Sequence, residues 1–296
     1  MTTRVRVALL LTAVCWATLP VAVGAADAPA TGKYSLRYSF RKGDKLRWNV
    51  THDARIRTTI NGVTQLAEMH SQSVKVWHVQ HVAEKGEVTF VHSVESVLMR
   101  QRHSGREELT YDSQRDKEPP LGFQDAARNV GVPLTTITMD AQGQILRRDD
   151  HRPQPQQHDN PLTIPLPSQP VAVGESWSFP HEITVQQRDQ TVKKVRCRQQ
   201  FTLESVRDGV ATIRMETLIL DPVRDPMLEA QLVQRETHGT VELDLDRGLV
   251  VRQTIEADKR VVGPFGDASS LHFQMTFREE LLTGEARTAR RPPEAP

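Results

Sequence analysis

From Tyr34 onward, apolar and polar residues alternate with a period of two over stretches rich in Val, Ile and Thr. Gly, Asn and Asp break these stretches, which is the signature of short strands joined by tight turns. Asn61-Gly62 lies between two such runs and predicts a two-residue hairpin. Glu84-Lys85-Gly86 predicts a three-residue hairpin loop, with Gly86 in the left-handed position. Counting outward from that loop places Val82 opposite Val88, Gln80 opposite Phe90, His78 opposite His92 and Val76 opposite Val94. With Arg207-Asp208-Gly209 as a second loop, Val206 faces Val210, Leu203 faces Ile213 and Phe201 faces Met215. Alternation then gives Phe201, Leu203, Ile213, Met215 and Cys197 one shared face. The opposite face, with Gln200, Thr202, Glu204, Thr212, Arg214 and Glu216, is solvated. A short helix is expected over Leu121 to Asn129, after Pro119-Pro120 and before Gly131. Residues 225–236 fit either a helix capped by Asp225 or the start of a long strand. Leu271, Phe273, Met275 and Phe277 form one face of a final strand over 269–282.

Three of these signals recur in the same order. Gly43-Asp44-Lys45-Leu46-Arg47-Trp48, the loop at Gly86 and the turn Asp140 to Gly143 are matched by Gly174-Glu175-Ser176-Trp177, the loop at Gly209 and the turn before Gly248. The expected architecture is mainly β. Two duplicated antiparallel units, 34–150 and 171–282, pack as a sandwich or open barrel with one or two short helices. Residues 151–170 carry a dense run of prolines and are expected to be an extended linker. The Arg-, Pro- and Glu-rich tail, 283–296, is expected to be disordered. Asp140 and Asp246 sit where aspartate bonds its own turn backbone, a structural role.

Composition narrows the function classes. Arg4 and Arg6, the apolar run Val7 to Val14 and the small residues Gly24-Ala25-Ala26 predict a cleaved signal peptide over 1–25, hence a periplasmic or extracellular protein. Removing those two arginines from the 38 basic residues leaves one fewer than the 37 acidic ones, so nothing steers the chain toward nucleic acid. No transmembrane segment is expected after cleavage. One cysteine, Cys197, remains beyond the signal, so no intramolecular disulfide is expected and stability must come from burial.

No catalytic serine elbow, zinc helix, Cys-x-x-Cys pair or phosphate-cradling loop occurs, and no cofactor is expected. The acidic stretch Asp112, Asp116 and Glu118 is interleaved with basic residues and reads as a solvated loop rather than a calcium site. The sharpest candidate is the first hairpin. His78 and His92 oppose each other where the second hairpin has Phe201 and Met215. An opposed pair supplies two imidazoles, short of the three or four ligands zinc takes. Trp77 and Val91 make the other face of that hairpin apolar too. The candidate site is therefore His78, Phe90, His92, Trp77 and Val91.

The run Tyr34-x-Leu36-x-Tyr38-x-Phe40-x-Lys42-Gly43-Asp44-Lys45, with Val171-x-Val173-Gly174-Glu175-x-Trp177-Ser178-Phe179, resembles an uncharacterised family of exported bacterial proteins. That resemblance implies no activity and no functional residues. At the level of architecture, a large curved antiparallel sheet is similar to envelope lipid and lipoprotein carriers. The expected function is a non-catalytic binding protein of the envelope, holding an apolar ligand, a lipid, or a partner protein against a curved sheet. The alternatives are a metal-dependent hydrolase using the histidine pair, and a purely structural envelope component.

Overall fold

The computed structural model describes residues 32–152, 162–187 and 189–282. The expected signal peptide, the middle of the proline-rich segment and the tail lie outside the described residues. Of the described residues 60% are strand and 5% helix, so the fold is mainly β, as the alternation predicts.

Two five-stranded meanders make up most of one large antiparallel sheet. The first runs through β2 (Lys45–Ile60), β3 (Val63–Val82), β4 (Val88–His103), β6 (Pro133–Met139) and β7 (Ile145–Asp150), with the short β5 (Leu109–Asp112) pairing further along β4. The second runs through β9 (Ser176–Gln186), β10 (Val192–Arg207), β11 (Val210–Ile219), β12 (His238–Asp244) and β13 (Leu249–Val262). The last strand, β14 (Ser269–Leu281), pairs with both β13 and β2 and joins the meanders into one sheet. The sheet stays open, with β7 and β9 at its edges. Pro180 within β9 and the charged run 147–150 in β7 discourage further strands from adding there.

Turn chemistry explains the hairpin tips. Asn61 and Gly62 (φ 49° and 80°) and Asp208 and Gly209 (φ 50° and 76°) supply the two left-handed residues that a tight hairpin needs. The second tip is therefore Asp208-Gly209 alone, and Val206 faces Ala211 rather than Val210. A bulge at Glu204 restores the expected Leu203–Ile213 and Phe201–Met215 pairs.

A single apolar sheet face needs a second layer. Two connections supply it at one end. Leu36, Tyr38 and Phe40 on one segment are buried, as are Ile164, Leu166 and Val171. Lys33–Tyr34 (β1) pairs with Val171–Ala172 (β8) to tie the two connections together. The second half of the expected linker is thus core rather than tether: extended Ile164-Pro165-Leu166 directs both apolar side chains inward. Tyr38 fixes this layer, its hydroxyl donating to the Ile164 carbonyl (3.1 Å) and accepting from the Ile164 amide (3.2 Å). Two turns clasp the Tyr38 segment through Tyr38 N–H to Ala141 O (2.8 Å) and Ser39 N–H to Gly248 O (3.0 Å). Glycine is required in both turns. A Cβ at Gly143 would lie 2.8 Å from the Ile164 oxygen, and one at Gly248 would lie 2.5 Å from the Ser39 nitrogen. Asp140 bonds the amides of Gln142 and Gln144 as expected, whereas Asp244, not Asp246, holds the second turn through the Arg247 amide.

Two short helices complete the chain. α1 (Gln124–Arg128) is shorter than expected, and Phe123 before it stacks on Tyr111 of β5. α2 (Pro226–Leu232) settles the open segment as helix, with the Asp225 carboxylate accepting from the Met227 amide at 2.9 Å. Its Leu228 and Leu232 pack on Ile183, Val185, Val195 and Cys197, and neighbouring Val233 packs on Ala257, Val261 and Phe273. α2 thereby covers the β9–β13 side of the apolar face.

Candidate functional site

The apolar, inner face carries Trp48, Trp77, Phe90, Phe201 and Ile213, while the outer face is ionic. Across it Arg55 and Arg102 pair with Glu68, Arg252 with Glu242 and Glu280, and Arg214 with Glu204 and Glu216. The solvated face expected for the second hairpin is part of this surface. A shallow outer depression of about 620 Å³ is walled by the same kind of groups, among them Asp53, Arg55, Glu68, His70, Arg100 and Arg102.

The histidine pair of the sequence reading does not form. The register follows expectation as far as Val82–Val88, then a bulge at Gln80 shifts it by one. Beyond the bulge Val79 faces Phe90, His78 faces Val91 and Trp77 faces His92. A one-residue slip moves every later side chain of β3 to the other face. His78 and Val91 are therefore on the outer face, with His78 exposed, and His92 is inside. Two imidazoles on opposite faces cannot share a metal ion, and among the described residues no group of three or more His, Cys, Asp or Glu side chains is placed to hold one. The acidic residues Asp112 and Asp116 bond local amides of their own loop.

Trp77, Phe90 and His92 do come together, as core. Trp77 stacks on Phe90 with centroids 4.3 Å apart and meets Trp48 at 4.8 Å. They fill the first meander as Phe201 and Met215 fill the second, so Trp77 is simply inside and needs no outer cover. Beside them is a charge pair that the sequence reading missed. Lys75 Nζ lies 2.5 Å from Glu279 Oε1, with both side chains 9% exposed, and stands over the rings of Trp48 and Trp77 at 4.6 and 4.7 Å. No local pattern signals a partner 204 residues away. Burial first, then the Lys75 charge, holds the His92 imidazole down at about 4 against an ordinary 6.5; a backbone bond to Val76 opposes them and Arg148 adds to them. The buried Trp77 Nε1 and His92 Nδ1 have no partner among the described residues. Burial also raises the Tyr38 hydroxyl, opposed by its Ile164 bond and aided by Glu279.

The pair marks a boundary on the inner face. Cross-strand rows run over β14, β2, β3 and β4. Leu281, Trp48, Lys75 and Val94 form one row, and Glu279, Val50, Ser73 and Val97 the next. On one side of the pair lies the closed aromatic core. On the other, the rows Phe277–His52–Ser71–Met99 and Met275–Ala54–Met69–Gln101 are only partly buried, and Met69 is 37% exposed. These rows lie between the cover given by α2 and that given by Tyr111 with Phe123. Burial against these side chains lowers the His52 imidazole, with Asp53 opposing. The strip is apolar with a few polar groups, His52 and Ser71 opposite one another among them, and no metal set lies in it among the described residues. It is chemically suited to holding an apolar chain.

No family model matches the chain, and no curated protein is significantly similar to it. A solved structure described as lipid–protein interactions in lipovitellin is similar over 87% of this chain and 27% of that one, with 11% identity and a TM-score of 0.45. No helix among the described residues is long and apolar enough to cross a membrane.

Proposed function

We propose that the protein is a non-catalytic binding protein that holds an apolar, chain-like ligand along the open rows of its inner face. The observation that supports this reading most directly is the half-buried strip Phe277, Met275, Met99 and Met69, on the same sheet face that is sealed beyond Lys75 and Glu279. Methionines suit a surface that must adapt to flexible chains, and an uncovered apolar strip facing water calls for an occupant. Function outside the cytoplasm, in the periplasm or the surrounding medium, belongs to the same proposal and is motivated by residues 1–25.

The test is titration of the delipidated full chain with a fluorescent fatty acid. Saturable binding is expected, weakened about tenfold or more by Phe277→Asp or Met99→Asp. Leu146→Asp, at an exposed position on edge strand β7, should leave it unchanged. Absence of binding, or equal binding by all variants, refutes the proposal.

A further inference from the structure

The far end of the sheet carries exposed apolar residues on two neighbouring hairpin tips. Ile60 and Val63 flank the β2–β3 turn and are 41% and 66% exposed; Val262 and Phe265, at the β13–β14 connection, are 66% and 53% exposed. The tips are joined by Asn61 N–H to Ala268 O at 2.9 Å and by the Ser269–Ile60 pairing. The second tip is held in shape by its own bonds, from the Gly263 amide to the Ser269 carbonyl (2.8 Å) and from the Phe265 amide to the Ser269 hydroxyl (2.9 Å).

Strand alternation places Ile60 and Val63 on the inner side of this rim and Val262 on the outer side, with Phe265 on the loop between. A protein layer docked on one face would cover only one of these sets. A lipid surface entered end-on surrounds the rim and buries both. One row behind, on the outer face, exposed Arg57 and Arg260 flank His272 and have no ion pair among the described residues; Asp267 is the carboxylate on the loop. Guanidinium groups set just behind an apolar tip match the depth of phospholipid headgroups.

We infer that this rim is a membrane-docking tip, which inserts Ile60, Val63, Val262 and Phe265 into a phospholipid surface with Arg57 and Arg260 at the headgroups. The docking inference itself stands on the tips and not on ligand binding.

The experiment is hydrogen–deuterium exchange of the full chain with and without vesicles of phosphatidylcholine and of phosphatidylglycerol. Slowed exchange is expected at 59–64 and 262–268, greater on the phosphatidylglycerol vesicles. Val63→Asp with Phe265→Asp should abolish that protection and lower vesicle partitioning more than about tenfold, with fatty-acid binding and the melting transition retained. Leu121→Asp, at an 81% exposed site elsewhere, should change neither readout. Vesicle protection confined to other segments overturns the inference, as does a dimer in solution that the double variant dissolves. Loss of fatty-acid binding with tip protection intact would overturn the ligand proposal alone.

Discussion

Removing one member of the Lys75–Glu279 pair should be far more damaging than removing both. Both side chains are 9% exposed and the contact is 2.5 Å, so water does little to screen whichever charge is left alone. A buried charge stripped of its partner costs roughly 3–5 kcal/mol. Lys75→Met keeps the aliphatic stem between Trp48 and Trp77 but strands the Glu279 carboxylate. It also loses the ammonium–indole contacts at 4.6 and 4.7 Å, worth about 2 kcal/mol when desolvated, with part returned by methionine–aromatic packing. The single variant should therefore lose about 4 kcal/mol. Glu279→Leu should lose a similar amount by stranding Lys75. The double variant replaces the pair by apolar groups of similar size and should fall within about 1 kcal/mol of the wild type. Urea unfolding of the four proteins, followed by tryptophan emission because Trp48 and Trp77 flank the pair, closes the cycle. A single-variant loss below about 1 kcal/mol would mean that water reaches the pair, and the boundary drawn between closed core and open strip would be wrong.

Two further outcomes follow from the inner face. His92, held near 4 in the fold against 6.5 when free, is neutral in the native protein, so the unfolded chain takes up its proton first. Its contribution is complete above about pH 6.5 and is lost as pH falls toward 4, roughly 3 kcal/mol over that window. Urea unfolding across about pH 4–7.5 should show His92→Leu losing about that much less stability than the wild type; parallel curves would refute the burial reading. Gly143→Ala combines a left-handed φ of 82° with a Cβ 2.8 Å from the Ile164 oxygen, and should cost at least about 2 kcal/mol. A melting temperature unchanged from the wild type would show that the Tyr38 layer gives way without penalty.

The turns were legible because their chemistry is local. Asn61-Gly62 and Asp208-Gly209 need nothing but their own φ values, and the alternation of Phe201, Leu203, Ile213 and Met215 was enough to put them in a core. The bulge at Gln80 was not legible. Val79-Gln80-His81 has no glycine or other mark of an extra residue, so straight counting put Trp77 outside and paired His78 with His92. What settles the register is the gain from burying Trp77 and Val79 against Phe90 and Trp48, a tertiary term that strand alternation does not contain. Of the five candidate residues, Trp77, Phe90 and His92 share the inner face, and His78 and Val91 do not. The face formed by Leu271, Phe273, Met275 and Phe277 was readable in advance. Its position between β2 and β13, which creates the open rows, depends on β14 pairing with a strand from the far end of the chain.

The uneven cover of the inner face is itself an argument about function. A sheet with one apolar face must bury it, and among the described residues three main pieces do so: segment 36–40, segment 164–171 and α2. The first two are pinned at one end by Tyr38 and two glycine turns. α2 is pinned over β9–β13, where Lys259 of β13 donates to Glu236, just beyond the helix, at 2.7 Å. The first two do not reach the rows of Phe277 and Met275, and α2 meets only their edge, where Met275 packs against the cluster of Val233, Val261 and Phe273; among the described residues on the β4 side the Tyr111–Phe123 contact forms the other border. Folding alone would favour polar residues in those rows, as on the ionic outer face of the same strands. The chain keeps Phe277, Met275, Met99 and Met69 there, tempered by His52, Ser71 and Gln101. A strip that apolar and that uncovered is costly in water unless something apolar comes to lie on it, which is why its occupant, and not its chemistry, is where the function should be sought.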